Sequence, residues 1–462
     1  PDPLAGTITV DALAAHLAAL ADIAADHGGT RAAATPGYDA SADYAARTLE
    51  AAGYTVTRQP FTYLDFELTA DPQFIQLGPD PREYVLTQDY RVARFSASGD
   101  VQGPVVAVDL SLGPANQTTS GCEPADFAGF PAGAVALIQR GGCYLDDKLA
   151  AAAAAGAVGV VFFNQGDTPD RSPVFTPRLS RVGALPAVGV SYKLGVALSD
   201  AIAGGLELRL VVDGRAVERT TENVLVETPA TASGRVLMLG AHLDSVPAGP
   251  GINDNGSGVA AVLEIGRQLA RCDLRHRVRL ALWGAEELGL YGSEHYASTL
   301  PDLERAAIAL YLNLDMIASP NSARFLYDGD GSAFGAPGPD GSDHIEHALA
   351  DYYAARGLPT RETAFDGRSD YGPFISRGIP AGGIFSGAED LKTADEAELF
   401  GGLAGLPYDS CYHAACDDLD NIDRDALLEN SRAAAHVLES FAAAGDPPFT
   451  AATPRAHADP NH

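Results

Sequence analysis

Strands and helices alternate along the chain after residue 222, and this alternation limits the possible fold more than any other feature. Three apolar runs have the length of buried strands: RVLMLGAHL, RVRLALWG and IALYLNLDMIA, which begin at Arg235, Arg277 and Ile308. The amphipathic segment GVAAVLEIGRQLA (258–270) separates the first two runs. Continuous apolar strands between helices are typical of a parallel sheet covered on both faces. We therefore predict an α/β fold with a mixed, mostly parallel central sheet and helices on both faces.

A change in the pattern of predicted secondary structure divides the chain into segments. Residues 1–65 predict helices followed by a strand, whereas 66–215 contain short β-like runs separated by Gly, Pro and Asp. We expect residues 1–65 and 216–445 to form one α/β domain and residues 66–215 to form an inserted β-rich domain. The polar, Pro-containing segment 446–462 is predicted to be a flexible tail.

Potential metal ligands follow each of the three predicted strands. His242 and Asp244 end the first, Glu286 and Glu287 follow the second, and Asp315 ends the third. Ligands of α/β sheets bind beyond the carboxyl ends of strands. One acidic strand end would mean little, because Asp and Glu also cap helices and turns. His, Glu and Asp at three strand ends together indicate a metal site.

Two loops add further candidates. Asp254 lies in GINDNGSG, where it could instead cap the following helix, and His413 lies in SCYHAACDD, where it could be an ordinary surface histidine. Imidazoles and carboxylates are the ligands of catalytic zinc. If one carboxylate is shared, two zinc ions each receive one histidine, one terminal carboxylate and the shared one, and no ligand is left over. The complete candidate set is His242, Asp254, Glu287, Asp315 and His413.

The charge balance excludes some partners. The chain has 61 acidic and 31 basic residues, a formal net charge of −30. Nucleic acids and anionic membranes need a basic face, so we expect neither as a partner. We also find no apolar run long enough to span a bilayer and no signal peptide at the start of this sequence.

The spacing of the cysteines is informative about the cellular compartment of the protein. Four of the five lie in short-range pairs, Cys122 with Cys143 and Cys411 with Cys416, and Cys272 is left over. Disulfides in these pairs would place the protein in an oxidising compartment, whereas reduced cysteines would suit a cytosolic protein.

Six motifs, in this order, carry a resemblance to a known family. They lie across about residues 236 to 417. Their sequences are GAHLDSV, GINDNGSG, WGAEELGLYGS, LNLDMI, GRSDYGPF and CYHAACDD. The series resembles the secreted di-zinc aminopeptidases of the leucine aminopeptidase-like, aminopeptidase S and Y type, which have the zinc exopeptidase fold. The wider clan includes glutamate carboxypeptidases, glutaminyl cyclases and the non-catalytic transferrin receptor.

The resemblance implies a ligand assignment. His242 and Asp315 would bind one zinc ion, Glu287 and His413 would bind the other, and Asp254 would bridge the two ions.

The resemblance also implies catalytic roles. Glu286 would be the general base that moves a proton from water to the leaving amine. Asp244 would accept from the second ring nitrogen of His242 and set its tautomer. Tyr412 would donate its hydroxyl to the oxyanion, although a packed loop tyrosine is the alternative.

Two further loops match the substrate pocket of the family. The resemblance implies substrate contacts by Arg368, Asp370 and Phe385, and Arg368 could equally be a structural ion-pair residue. The acidic segment Asp417–Asp425 has two interpretations, a calcium site or a solvated loop that caps the last helix.

The insertion at 66–215 resembles a protease-associated domain. The segment GCEPADFAGFPAGAVALIQRGGC (121–143) fits the cysteine-bounded hairpin of that domain.

The leading functional prediction is a secreted, monomeric metallo-exopeptidase. It would remove N-terminal residues, preferentially large hydrophobic ones, from peptides with a free N-terminus. The enzymatic alternatives are a one-zinc acyltransferase of the glutaminyl cyclase kind and a clan carboxypeptidase. The non-enzymatic alternative is a receptor-like module that has lost its metals, but this chain lacks none of the expected ligands.

Overall fold

The computed structural model describes residues 3–168, 171–229, 235–272 and 274–444. The described residues form two compact units, one of residues 3–63 and 220–444 and one of residues 64–219. The predicted flexible tail, 446–462, lies outside the described residues. Within the described part of the chain, every helix is too short or too polar to cross a membrane.

Helices open the first unit, and threonines begin two of them. The hydroxyls of Thr9 and Thr35 accept hydrogen bonds from the N–H groups of Ala12 and Tyr38, which satisfies donors that a helix N-terminus leaves unpaired. The elements are α1 (Pro3–Thr7), α2 (Val10–Asp26) and α3 (Pro36–Ala51), followed by strand β1 (Thr57–Leu68).

A mixed sheet forms the second unit. Its elements are β2 (Gln73–Gly78), β3 (Arg82–Glu83), β4 (Tyr90–Val92), β5 (Gly99–Val108), a 3₁₀ turn (Pro124–Phe127), β6 (Val135–Gln139), α4 (Leu145–Ala154), β7 (Gly159–Phe163), β8 (Ala187–Val190), α5 (Tyr192–Ala201), a second 3₁₀ turn (Ile202–Gly204) and β9 (Glu207–Val212). The strand order is β3-β2-β9-β5-β6-β7-β8-β4, with parallel pairs from β5 to β8. Every residue of β6 and β7 is buried, as expected for central parallel strands.

The chain returns to the first unit through β10 (Gly214–Glu227). The predicted domain borders, after residue 65 and before residue 216, fall inside β1 and β10. Strands rather than loops therefore connect the units, and the borders themselves stay a prediction.

The remaining elements complete the first unit. They are β11 (Val236–His242), α6 (Gly256–Leu269), β12 (Arg277–Trp283), α7 (Tyr291–Thr299), α8 (Asp302–Ala307), β13 (Ile308–Leu314), β14 (Phe325–Tyr327), α9 (Ser342–Ala354), β15 (Arg361–Thr363), α10 (Gly372–Ile375), β16 (Ala381–Phe385), α11 (Ala394–Phe400) and α12 (Arg424–Ala443). The sheet order is β1-β10-β12-β11-β13-β16-β14-β15. Strands β12, β11, β13 and β16 run parallel, whereas β10 and β14 pair antiparallel with their neighbours β12 and β16.

Successive side chains of β11 enter two different cores. Leu237 packs in a cluster with Val259 of α6 and Leu438 of α12. Met238 packs in another cluster with Phe374 of α10. Because neighbouring side chains of a strand point to opposite faces, helices cover both faces of the sheet. The predicted α/β fold class is confirmed.

Candidate metal centre

Three parallel strands deliver polar side chains to one edge of the sheet. In register, His242 at the end of β11 pairs with Trp283 at the end of β12, and Gly240 pairs with Asn313 of β13. The residues that follow these ends therefore meet at the carboxyl edge, where α/β sheets bind ligands.

His242 lies at the centre of a carboxylate group. Its Nε2 atom is 3.2 Å from Asp254 Oδ1, 3.3 Å from Asp315 Oδ1 and 3.9 Å from Glu286 Oε2. The histidine is 1% exposed. Burial alone would lower its pKa, but the negative charges of Asp315 and Glu286 outweigh burial and raise the pKa well above its ordinary value.

His413 faces the other side of Asp254. Its Nε2 atom lies 3.3 Å from Asp254 Oδ2 and 3.0 Å from Glu287 Oε2. The two oxygens of Asp254 thus face different histidines, and each histidine also has a carboxylate of its own. His413 has a left-handed backbone with φ of 55°, a conformation that is costly for a non-glycine residue and is concentrated at functional sites.

The carboxylates of this centre differ in their pKa values. Burial, with repulsion from Asp254, raises the pKa of Glu287 to about 7. Burial also raises the pKa of Glu286, and the neighbouring Glu287 charge raises it further. Asp254 is buried as well, yet hydrogen bonds from His242 and His413 hold its pKa below the ordinary range. The centre therefore concentrates more negative charge than its two imidazoles neutralise.

This donor set fits divalent zinc. Ligand atoms of His242, Asp254 and Glu287 lie within 4.8 Å of one another. Nitrogen and carboxylate oxygen are the ligand types that catalytic zinc accepts, and positive ions would stabilise the clustered carboxylates.

Asp244 supports the centre differently from the sequence prediction. The Nδ1 atom of His242 lies 3.1 Å from the backbone carbonyl oxygen of Asp244 and 3.7 Å from its Oδ1. The nearer acceptor for the ring N–H is therefore the carbonyl. The carboxylate of Asp244 accepts hydrogen bonds from the N–H groups of Glu286 (3.1 Å) and Glu287 (3.3 Å), so it orients both glutamates through their backbone.

Asn255, rather than Asp254, caps α6. The Oδ1 atom of Asn255 accepts from the N–H groups of Gly258 and Met316, and its Nδ2 donates to the carbonyl of Leu314. The alternative in which Asp254 serves as the helix cap is therefore wrong. The amide of Asn255 joins the loop of Asp254 to the end of β13, a role that the sequence reasoning missed although Asn255 lies inside a quoted motif.

Ser369 is a second residue that the sequence reasoning missed. Its hydroxyl donates to Asp315 Oδ2 at 2.5 Å and accepts from the Nδ2 group of Asn313 at 2.7 Å. It therefore positions the carboxylate of Asp315. Its signal was its place beside Arg368 in the motif GRSDYGPF.

The acidic segment Asp417–Asp425 does not gather calcium ligands. Asp417 accepts from backbone N–H groups of Asn253 and Asp254, and Asp423 caps α12 by accepting from Asp425 and Ala426. Among the described residues, the groups of side chains that could hold a metal ion include no residue of this segment. The calcium interpretation is thus unsupported, and the interpretation as a capping loop fits the contacts.

A cleft of about 660 Å³, its open mouth included, lies over the metal-ligand candidates. Arg368, Phe385 and Tyr412 line it. The Nη2 group of Arg368 donates to Tyr412 Oη at 3.1 Å and to Glu389 Oε1 at 2.8 Å. Arg368 is thus both an ion-pair residue and part of the cleft wall.

Asp370 lies away from the cleft surface. It is fully buried and does not line the cleft. Burial raises its pKa to about 7. This position is inconsistent with the predicted contact between Asp370 and substrate.

Both predicted disulfides are present. Cys122 bonds to Cys143 in the second unit, and Cys411 bonds to Cys416 around His413. Cys272 is half-buried, and its thiol lies 3.7 Å from the carbonyl oxygen of Gln268.

Sequence comparisons place these features in a family. The profile of Peptidase family M28 matches residues 223–438, and that of the PA domain matches residues 101–198. An aminopeptidase of Pseudomonas aeruginosa is 49% identical over 424 residues, which cover 91% of this chain and 79% of the relative. A protein of Aspergillus fumigatus named probable leucine aminopeptidase 2 is 40% identical, over 88% of this chain and 78% of that protein.

Solved structures share the fold. The aminopeptidase from Aneurinibacillus sp. strain AM-1 has a TM-score of 0.76 at 23% identity, over 96% of this chain and 97% of that chain. BSAP, a zinc aminopeptidase from Bacillus subtilis, has a TM-score of 0.65 at 24% identity, over 93% and 94% of the two chains. The predicted resemblance and the predicted PA insertion are confirmed: the chain belongs to Peptidase family M28, is a hydrolase of that family, and carries a PA domain.

Proposed function

We propose that this protein is a zinc-dependent aminopeptidase that uses two zinc ions to remove N-terminal residues from peptides. The observation that carries the proposal is the position of Asp254, whose two oxygens face His242 and His413 separately. A carboxylate placed in this way between two histidines suits a bridging ligand. The names of the relatives, aminopeptidase and leucine aminopeptidase, support the reaction.

The ligands divide into two sets around the bridge. His242 and Asp315 would hold one zinc ion, and Glu287 and His413 would hold the other. When bound, the ions supply Lewis acidity that polarises the scissile carbonyl and makes water a nucleophile near neutral pH.

Glu286 is the proposed general base. It is 8% exposed, lines the cleft, and its Oε2 atom lies 3.9 Å from Nε2 of His242. The hydrogen bond from its backbone N–H to Asp244 holds it at the end of β12. From this place the carboxylate can accept a proton from the attacking water and deliver it to the leaving amine.

Tyr412 is the proposed donor to the oxyanion. Its oxygen already accepts from Arg368, so its own hydroxyl proton is available to a second acceptor in the cleft. Burial raises the pKa of Tyr412 well above the ordinary value, and Arg368 only partly opposes this effect. The hydroxyl therefore keeps its proton at neutral pH and can stabilise negative charge on the carbonyl oxygen.

The cleft suits a substrate with a free ammonium group. Apart from the proposed zinc ligands, the carboxylates of Glu286, Glu389 and Asp390 line it, so its walls favour positive charge. Phe385 adds an apolar surface at the end of β16. We propose a preference for large hydrophobic N-terminal residues. The two disulfides support action outside the reducing cytosol, and we propose a monomer.

Zinc analysis and substrate blocking test this proposal together. We expect about two zinc ions per chain and rapid hydrolysis of leucyl-anilide, with little hydrolysis of N-acetyl-leucyl-anilide. The variant Glu286→Gln should keep its zinc and lose at least about a hundredfold in kcat. Equal hydrolysis of the blocked and free substrates would overturn the aminopeptidase assignment. A single zinc ion together with cyclisation of N-terminal glutamine would instead favour the acyltransferase alternative.

A further inference from the structure

A second group of carboxylates lies outside the catalytic centre, in the same unit. It consists of Asp328, Glu346 and Glu362, whose candidate ligand atoms lie within 4.8 Å of one another. Asp328 directly follows β14, Glu362 lies in the neighbouring parallel strand β15, and Glu346 belongs to α9. Three separate elements thus bring one carboxylate each to a common point.

The two buried carboxylates each use one oxygen to hold the loop that follows β14. Asp328 Oδ2 accepts from the N–H groups of Ala333 (3.2 Å) and Phe334 (2.8 Å). Glu346 Oε2 accepts from the N–H groups of Gly329 (2.8 Å) and Asp330 (3.2 Å). These bonds orient the carboxylates and position the loop around them.

The other oxygen of Asp328 lacks such a partner among the residues that the structure describes. Asp328 is 1% exposed, and its Oδ1 atom is buried without a hydrogen bond from any residue that the structure describes. A buried carboxylate oxygen without a donor is costly unless a cation neutralises it. Since Oδ2 is occupied by the loop N–H groups, Oδ1 is the oxygen left for the carboxylate cluster.

In the described ranges, no lysine or arginine forms an ion pair with Asp328, Glu346 or Glu362. His347 Nε2 lies 3.7 Å from Oδ2 of Asp330, outside the cluster, and His347 is largely exposed. Burial also raises the pKa of Glu346, with repulsion from Asp330 and Glu362.

We propose that Asp328, Glu346 and Glu362 form a calcium site. Clustered carboxylates without nitrogen or sulfur ligands suit a hard cation. Calcium takes 6–8 oxygens in flexible geometry, which three carboxylates, backbone carbonyls and water can provide, whereas magnesium demands a stricter octahedron.

The site is placed to brace the wall of the catalytic cleft. Tyr327 precedes Asp328, Thr363 follows Glu362, and both Tyr327 and Thr363 line the cleft. The N–H of Asp328 donates to the carbonyl of Thr363 at 2.8 Å, so the strands that carry the ligands also carry the wall. An ion here would hold β14, β15 and α9 together.

Calcium titration of the zinc-loaded protein tests the site. Zinc occupies the catalytic centre throughout, and calorimetry with Ca²⁺ measures binding to the remaining sites. We expect one Ca²⁺ per chain with a dissociation constant of about 1 mM or tighter. Calcium should also raise the melting temperature and slow hydrogen exchange at the amides of Ala333 and Phe334.

Matched variants locate the ion. Glu362→Gln and Asp328→Asn keep side-chain size, and each should weaken Ca²⁺ binding at least about tenfold. The half-buried Glu362→Gln decides the matter if Asp328→Asn fails to fold. Asp420→Asn, which removes an exposed carboxylate from the acidic segment Asp417–Asp425, should bind as the wild type does. Absence of saturable binding, unchanged affinity in Glu362→Gln, or loss of binding in Asp420→Asn would each overturn the proposal.

Discussion

The carboxylate of Asp417 accepts a hydrogen bond from the backbone N–H of Asp254, with Oδ2 3.0 Å from the nitrogen. Its Oδ1 atom accepts from the N–H of Asn253 at 2.8 Å, and the side chain is almost fully buried. The two oxygens of Asp417 therefore hold the backbone of Asp254, which lies between the two histidines, and of the residue before it. A substitution here should act on the metal centre without touching a proposed ligand.

We expect Asp417→Asn to weaken zinc binding about 10–100-fold, because an amide NH₂ cannot accept from a backbone N–H. Competition with a zinc chelator of known affinity measures the change. Asp420→Asn is the matched control, since Asp420 is exposed and belongs to the same acidic segment. Unchanged zinc affinity in Asp417→Asn would show that the loop of Asp254 does not need this support.

Tyr412→Phe should lower kcat about 10²–10³-fold and leave KM nearly unchanged, because the hydroxyl is proposed to bind the oxyanion that forms only in the transition state. Steady-state kinetics with leucyl-anilide separates the two constants. Arg368→Met removes the donor to the Tyr412 oxygen while keeping that hydroxyl, so its kcat should fall less. If KM of Tyr412→Phe instead rises by a similar factor while kcat is unchanged, the hydroxyl acts in ground-state binding.

The fold and the grouping of the candidate metal ligands could be predicted from the sequence for a physical reason. His242, Glu286, Glu287 and Asp315 end apolar parallel strands, and strand direction alone brings such ends to one edge of a sheet. The placement of His413 depends on a loop that has no periodic pattern, and it was predicted through the resemblance carried by its motif.

The supporting contacts could not be predicted in the same way. Asn255 and Ser369 form hydrogen bonds with residues that are 59 and 56 positions away in the sequence. No local spacing encodes such a contact. Asp370 was expected to face the substrate because of its motif. The turn before α10 places it instead in the interior, fully buried.

Arg31 should contribute to stability because its guanidinium group donates hydrogen bonds to three backbone carbonyls. It is fully buried and donates to the carbonyl of Leu243, to that of Pro250 (2.8 Å) and to that of Gly251 (2.6 Å). Burial lowers its pKa to about 10, against the opposing charges of Asp244 and Asp417.

We expect Arg31→Lys to lower the free energy of unfolding by about 1–3 kcal/mol, because a single ammonium group cannot reach all three carbonyls. Urea unfolding measures the loss. Arg47→Lys, at a largely exposed position of α3, is the control. If Arg31→Lys unfolds at the same urea concentration as that control, the carbonyl contacts contribute little.

A buried lysine should give the second unit an unusual pH dependence. Lys148 is fully buried, and its ammonium group donates to the carbonyls of Ser120 and Gln139, the latter at 3.1 Å. Burial lowers its pKa to about 8, and Asp126 only partly opposes the shift. The unfolded chain, with an ordinary lysine pKa of about 10.4, then binds more protons than the folded one between about pH 8 and pH 10.4.

Stability should therefore increase with pH across this window as far as Lys148 contributes, by at most about 3 kcal/mol. Below about pH 8 the lysine is charged in both states, so the full cost of burying the charge remains. We expect Lys148→Met to lose this increase, and we would measure the free energy of unfolding of both proteins by urea at about pH 7.5, 9 and 10.5. Tyrosines that titrate near pH 10 are common to both proteins and cancel in the difference. Lys193→Met, at an exposed position of α5, should follow the wild type, and parallel profiles for wild type and Lys148→Met would contradict a lowered pKa of Lys148.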